Sequence, residues 1–333
     1  MTNLKNITFI LPTKNRVNQL KLFFNYHYKI LDKIKHNFLI IDASNDLNHI
    51  KNIKNLKQYK NIKIIRQFSK GIQKGCIEAI PFIKTKYSTF LYDDDYLGKY
   101  VVDIYKSNID NKNIFSLGCG IIQDLKKKAN FKKINYSYID KQKMLLAYYG
   151  KKLSIMDDNI LPVSPICTSF ETKFLKKWKY SILKFVKKNS FREFFFFQKD
   201  IGPDMLIYLM LIGDSKKVIK FYTPYSVKFS SHPDSISIIY GNSYLRIGYW
   251  LARVCYFQND TSMNKKTKNE SYTYLIIIGM ILIISNLFNF YILKNIIIEF
   301  FKLLKFKSNF LFSYFVKYLT SRIFIKLWFL KKT

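Results

Sequence analysis

Four short apolar runs, each stopped abruptly by polar residues, set the rhythm of the first hundred residues. Asn6 to Pro12 (Asn-Ile-Thr-Phe-Ile-Leu-Pro) lacks strict alternation, which is the pattern of a strand covered on both faces. Pro12-Thr13-Lys14-Asn15-Arg16 ends it, and Leu20, Phe23, Phe24, His27, Ile30 and Leu31 then share one helical stripe. His27 lies on that stripe and reads as a packed core residue. Asn37 to Asp42 repeats the strand-then-acid pattern before the turn Ala43-Ser44-Asn45-Asp46, and a helix-like piece leads to a third strand, Asn61 to Arg66. Gly71 and Gly75 bracket a loop, Ile77 to Ile83 is helical in pattern, and the fourth strand runs from Tyr87 into Asp93, Asp94 and Asp95. Strand and helix in this alternation predict an α/β fold: a Rossmann-like, mostly parallel sheet flanked by helices, with right-handed crossovers.

Beyond the acids, Ile114 to Gly120 reads as a fifth strand running into a glycine turn, and Lys126 to Lys133 as a solvated basic loop. Ile160 to Phe170, with Pro162 and Pro165, is an extended segment, and Glu171 to Val186 returns to a helical pattern. Phe194 to Phe197 is either core or an exposed patch resting on lipid. Asp200-Ile201-Gly202-Pro203-Asp204 opens an apolar helix, Met205 to Ile212, so Asp204 alone could be ordinary N-terminal capping chemistry. Val218 to Tyr222 and Tyr225 to Ser230 are strands, the second ending in Ser231-His232-Pro233-Asp234-Ser235. His232 sits off any apolar stripe; it is a candidate ligand or a plain surface histidine.

Ligands of such sheets bind outside the carboxyl ends of the strands. Thr13, Asn15, Arg16, Asp42, Asp46 and the three consecutive aspartates all fall on that edge. Three adjacent carboxylates repel one another and add nothing to a core, so a chain that holds them together calls for a cation, read as a divalent metal. One aspartate would suffice for a helix cap.

The chain of 333 residues suits one large domain with an appendage, divided here as residues 1–240 and a C-terminal helical region, 241–333. Lys and Arg number 56 against 22 Asp and Glu, a net charge of +34, which suggests an anionic membrane surface or nucleic acid as partner. The lysines are spread through every segment, and a nucleic-acid protein would leave the gathered acids unexplained, so no nucleic-acid partner is expected. A two-metal phosphoryl or nucleotidyl transferase would need further acids or histidines from other strands. Cys76, Cys119, Cys167 and Cys255 show no paired spacing, which fits a reducing compartment. Met1 to Lys5 runs straight into the first strand, so the catalytic part is expected to stay in the cytoplasm.

From Tyr272 the composition changes. Tyr274 to Leu293 is apolar apart from Ser285, Asn286 and Asn289 and reads as a transmembrane, buried or in-plane helix. Lys294, Lys302 and Lys305 then fall on one side of a helix whose other side carries Ile297, Phe300, Phe301 and Leu304, the pattern of a basic interfacial helix. The tail to Lys332 continues in the same mixture. Attachment to the cytoplasmic face of the inner or plasma membrane, peripheral or through a single anchor, would use both charge and aromatics.

Assembled, Asn6 to Ser237 resembles the family 2 glycosyltransferases of GT-A fold, the bacterial enzymes that build surface polysaccharides. Pro12-Thr13-Lys14-Asn15-Arg16 is similar to the family's opening Pro-x-x-Asn-Arg under the nucleotide, and Asp42 occupies the place of the acid used on the base or ribose. Phe90-Leu91-Tyr92-Asp93-Asp94-Asp95 resembles the Asp-x-Asp region, whose carboxylates hold Mg²⁺ or Mn²⁺ on the donor diphosphate; Asp93/Asp95 and Asp94/Asp95 both remain open as the pair. Asp204 matches the acid that deprotonates the acceptor hydroxyl, with Asp200 as the alternative because Pro203 stands where the family commonly has Glu. The loop at His232 is similar to one where a histidine approaches the diphosphate or metal. The loop of Gly71 and Gly75 lacks the Asn that many members carry. The resemblance implies an inverting, metal-dependent transfer from a nucleotide-sugar, a UDP-sugar, to a saccharide or lipid-linked acceptor.

Overall fold

Every residue of β1 (Ile7–Thr13) is buried, and its side chains alternate between two apolar layers, Ile7, Phe9 and Leu11 in one and Ile10 in the other. It is the middle strand of the main sheet. The computed structural model describes residues 7–306 apart from 33, 35, 59, 60, 112, 113, 125, 128, 129, 151–160, 163, 217 and 234; the first residues, most of the tail and Asp234 therefore lie outside the described residues. After β1 come α1 (Val17–Leu31), β2 (His36–Asp42), α2 (Leu47–Ile53), β3 (Ile62–Arg66), α3 (Ile72–Ala79) and β4 (Tyr87–Phe90). These strands lie in the order β3-β2-β1-β4 and all run parallel, as the alternation predicts; β9 (Phe170–Glu171) closes the β4 edge antiparallel.

The later strands are mixed. The stretch expected as a fifth strand, Ile114 to Gly120, contains the shorter β6 (Phe115–Leu117); β7 (Gly120–Asp124), which that expectation did not include, follows it in a different sheet. β6 joins β10 (Val218–Thr223) and the exposed β8 (Asn135–Asp140), while β7 joins β11 (Val227–Ser231) and β5 (Tyr96–Leu97). The short β5-β11-β7 sheet brings the segment after the triple aspartate against the segment that ends at His232.

The helices α4 (Val101–Asp110) and α1 cover one face of the main sheet. The other face carries α3, α5 (Lys141–Tyr148), α6 (Thr172–Val186), α7 (Ser190–Glu193) and α8 (Pro203–Asp214); α9 (Ile236–Ile239), α10 (Gly241–Asn259), α11 (Lys265–Ser285) and α12 (Phe290–Leu304) follow. The expected division at residue 240 coincides with the start of α10, and across it one hydrophobic cluster runs without a break from Phe170 and Leu206 to Trp250, Leu275 and Ile296. His27 is core: its Nδ1 bonds the Phe23 carbonyl at 2.8 Å, the Leu97 amide donates to its Nε2 at 3.1 Å, and burial holds its pKa down to about 3. Of the four phenylalanines, Phe195, Phe196 and Phe197 are buried in a single π-helical turn, which decides for core over a lipid patch. All four cysteines are buried free thiols.

Among the described residues no helix is long and apolar enough to cross a membrane. The apolar run from Tyr274 to Leu293 is broken into α11 and α12 by a turn at Asn286 and Asn289, whose side chains bond the Leu282 carbonyl and cap α12. α12 also corrects the expected division of its faces. Ile292, Ile296, Glu299 and Leu303 are inward, whereas Phe301 and Leu304 are exposed on the same side as the lysines.

Glu299 is 1% exposed and binds Arg192 through Nε at 3.1 Å and Nη2 at 2.5 Å, with Asn189 and Lys302 at 2.9 and 2.8 Å. Burial alone would push its carboxyl up; the Arg192 charge and the three donors hold it below the ordinary range. Removing one partner leaves the other buried and uncompensated. Glu299→Ala should therefore lower unfolding free energy by about 3–5 kcal/mol in urea denaturation; a loss within about 0.5 kcal/mol, the size of an ordinary surface change, would contradict this account.

Candidate active site

Asn15 adopts a left-handed φ of +55° and joins two loops at the sheet edge. Its amide donates to Ser44 Oγ at 2.8 Å, its Nδ2 donates to Asn45 Oδ1 at 2.7 Å, and its Oδ1 accepts the Asn45 and Asp46 amides, both at 3.1 Å. Thr13 pairs with Asp42 in register, and the Ala43 amide extends the ladder to the Thr13 carbonyl. Asp42 is buried; Oδ1 accepts the Ser44 amide at 2.9 Å and Oδ2 accepts Arg66 Nη1 at 3.0 Å. Arg66 Nη2 also donates to the Ser44 carbonyl. The first two loops are thus held rigid by short-range polar bonds, with Pro12 behind them in the strand.

The three consecutive aspartates point three ways. Asp93 is buried, takes Arg16 Nη1 on Oδ1 at 3.0 Å and Thr13 Oγ1 on Oδ2 at 3.4 Å, and Gln19 fixes its backbone carbonyl at 3.0 Å. Burial, and then Asp94, raise its pKa to about 6 against the pull of Arg16. Asp94 is partly exposed, and its Oδ2 meets both Arg16 Nη1 at 3.3 Å and His232 Nε2 at 2.7 Å. Asp95 turns toward β11, where it accepts the Ser230 amide at 3.2 Å; burial and then Asp94 hold it well above the usual carboxylate range. Arg16, Asp94 and His232 line a cavity of about 560 Å³ together with Asn15, Asp46 and His49. Asp42, Asp93, Asp95 and Asp204 are not on its wall.

Asp200 and Asp204 separate cleanly in their surroundings. Asp200 adopts a φ of +55° and gives one carboxylate oxygen each to the Ile72 and Gln73 amides, both at 2.9 Å, capping α3 from another part of the chain. Gly71 has a φ of +101°, and a Cβ there would lie 2.6 Å from the Phe197 carbonyl oxygen, so only glycine lets the capped helix end approach. Asp204 opens α8: its Oδ1 accepts the Gly202 and Met205 amides at 3.1 and 2.9 Å, and its Oδ2 accepts Tyr249 Oη at 3.4 Å. Burial raises its pKa to about 7, and the two amides and Tyr249 draw it back. α10 can bring Tyr249 so near because Gly202 and Gly248 cross; a Cβ on Gly248 would lie 2.4 Å from the Ile201 side chain. The Tyr92 phenol is held well above its ordinary range by burial and then by Cys76, Asp204, Asp95 and Asp200, so it feels both this acid and the triple aspartate.

The expected metal set of Asp93, Asp94, Asp95 and His232 is not gathered around one point. Among the described residues no group of three or more His, Cys, Asp or Glu side chains is disposed to hold an ion. The physical reason is that Arg16 already neutralises Asp93 and Asp94, while Asp95 is spent on the Ser230 amide. What remains, Asp94 on the cavity wall with Asp93 and His232 beside it, still suits a hard cation that takes one or two carboxylates and completes its shell with substrate phosphates.

The chain overlays on solved structures over most of its length. Staphylococcus aureus TarS 1–349 in complex with UDP-GlcNAc matches over 82% of this chain and 71% of its own, at TM-score 0.52 and 14% identity. The fold is GT-A. A second structure of S. aureus TarS 1–349 matches over 90% of both chains at TM-score 0.49 and 13% identity. Against S. aureus TarS, this GT-A chain spans 42% of the other's length, at TM-score 0.49 and 12% identity over 82% of its own. No family model and no curated protein sequence matches it. Several site residues escaped the sequence. Arg66 carried a signal, since it ends a strand on the acid-bearing edge; Gln19, His49 and Tyr249 carried none, because packing alone brings them to the GT-A site.

Proposed function

We propose that this chain is an inverting glycosyltransferase that moves a sugar from a nucleoside-diphosphate sugar, UDP-linked in this reading, to a hydroxyl of a saccharide or lipid-linked acceptor in surface-polysaccharide synthesis at the cytoplasmic side of the membrane. The observation that carries it is Asp204 at the start of α8 in a GT-A fold: a carboxylate that burial raises to a pKa of about 7, with Oδ2 accepting Tyr249 Oη at a long 3.4 Å. The UDP-GlcNAc held by TarS 1–349 supports the donor class.

In this reading Asn15 faces the nucleoside, with Thr13 and Asp42 buried behind it and bracing its loop, and Arg16 and His232 face the diphosphate across the cavity. Asp94, with Asp93 or His232, would hold Mg²⁺ or Mn²⁺, which when bound offsets negative charge on the departing phosphate oxygens. The acceptor oxygen attacks the anomeric carbon from the face opposite the diphosphate. As that bond forms, the sugar–phosphate bond breaks, the diphosphate leaves with the electron pair, and Asp204 Oδ2 takes the acceptor proton. A base near neutrality is ionised in useful fraction and still basic enough to accept it.

Melting curves of the full chain with UDP, GDP, ADP and CDP, with and without Mn²⁺, test the donor site. UDP at about a hundred times its Kd should stabilise the fold by about 2.7 kcal/mol, with a larger shift in Mn²⁺. Indifference to every nucleotide would refute the proposal, and retention of anomeric configuration in the product would refute Asp204 as the base of a single displacement.

A further inference from the structure

We infer that the corner between α11 and α12 is a docking surface for an anionic lipid bilayer, lying among the headgroups rather than crossing them. The inference does not depend on the chemistry of the cleft. Before α11, exposed large apolar side chains among the described residues are spread along the chain, no more than two on any one element. Between Ile281 and Tyr291 they cluster: Ile284 is 68% exposed, Phe290 79%, and Phe288 projects fully into solvent. The corner is rigid, since Asn286 is buried against the Leu282 carbonyl and Asn289 caps α12.

The outer face of α12 continues the patch and adds charge. Phe290, Lys294, Phe301, Leu304 and Lys305 follow helical spacing on the side opposite Ile292, Ile296 and Leu303, and all five are exposed. Apolar side chains interleaved with lysines, whose stems can lie along them while the ammonium groups reach upward, suit the headgroup boundary. The charge is not offset locally. From Ser271 to Thr333 the sole acid is Glu299, which is buried against Arg192. A second copy of the chain docking on the same face would bring lysine against lysine. Fifteen residues of α12 span about 22 Å, short of the roughly 30 Å hydrocarbon core.

The test is sedimentation of the full-length chain with phosphatidylcholine vesicles, with and without phosphatidylglycerol, for wild type, Phe288→Ser/Phe290→Ser and Lys294→Glu/Lys305→Glu. All four positions are solvent-exposed, and retained melting temperature checks folding. Wild type should bind the anionic vesicles and bind neutral ones far less. Each phenylalanine withdrawn from the interface should weaken partitioning by about tenfold, and charge reversal should remove the preference for phosphatidylglycerol. Binding by the phenylalanine variant equal to wild type assigns attachment to another part of the chain and overturns the proposal. So does wild type that ignores vesicles, or a dimer that the same variant dissociates.

Discussion

Asp204→Asn is expected to lower the rate of sugar transfer by about 10³-fold, within the range for loss of a general base, and to make the fold more stable. The two effects share one cause. Burial lifts the Asp204 pKa from 3.8 to about 7, so the folded chain carries an ionised carboxylate at some expense whenever the pH exceeds that value. Because the folded pKa lies above the unfolded one, this expense is absent below about pH 4, grows as pH rises, and is complete above about pH 7. Asn keeps the oxygen that accepts the Gly202 and Met205 amides and carries no charge. Its stabilisation should approach about 2–4 kcal/mol at pH 8 and vanish near pH 4 in denaturation experiments. Wild-type kcat/KM should rise with pH up to about 7 and then level, whereas the residual activity of the variant should lose that limb. A variant with lower melting temperature at pH 8, or with an unchanged pH profile, would contradict the assignment.

The second large effect belongs to Asp94. Of the three consecutive acids it alone stands on the cavity wall, and it shares one oxygen between Arg16 and His232. Asp94→Asn should reduce kcat by about 10²–10³-fold, the scale of losing a group that stabilises charge developing in the transition state, and should abolish the Mn²⁺-dependent part of the UDP melting shift. Stability should change by less than about 1 kcal/mol, because the carboxylate is partly exposed and its ion pairs are screened. A variant that changes KM alone would mean that Asp94 binds substrate and transition state equally, which the proposed role does not allow.

Much of the fold was legible because β1 to β4 are apolar runs stopped by polar residues, and local pattern is enough to find such strands. The same pattern located the acid-bearing edge, and His232 does meet Asp94 there. What the chain did not disclose was decided at long range. The start of α3 lies several residues before the apparent helical pattern because Asp200, 128 positions away from Ile72, supplies its cap. The direction of each aspartate depends on Arg16 and the Ser230 amide, neither of which is adjacent in sequence. The strand after the expected fifth one, β7, went unread because it is an edge strand, only partly buried, that joins β11 rather than the sheet of β6. On α12 the apolar residues outnumber what one buried face can take, so periodicity could not say which would be left outside.

The crossing of Gly202 and Gly248 has an inheritance consequence. In the proposed reading the residues that handle the donor all come before residue 240, but Asp204, the acid assigned to accept the proton, has its surroundings built jointly by the loop before α8 and by a helix beyond residue 240. A C-terminal region exchanged as an interchangeable module between related enzymes would have to carry a glycine and a tyrosine in the right succession, or the acidity of Asp204 would drift with the graft. Donor chemistry can therefore diverge on its own, while acceptor chemistry and the C-terminal helices are bound to change together.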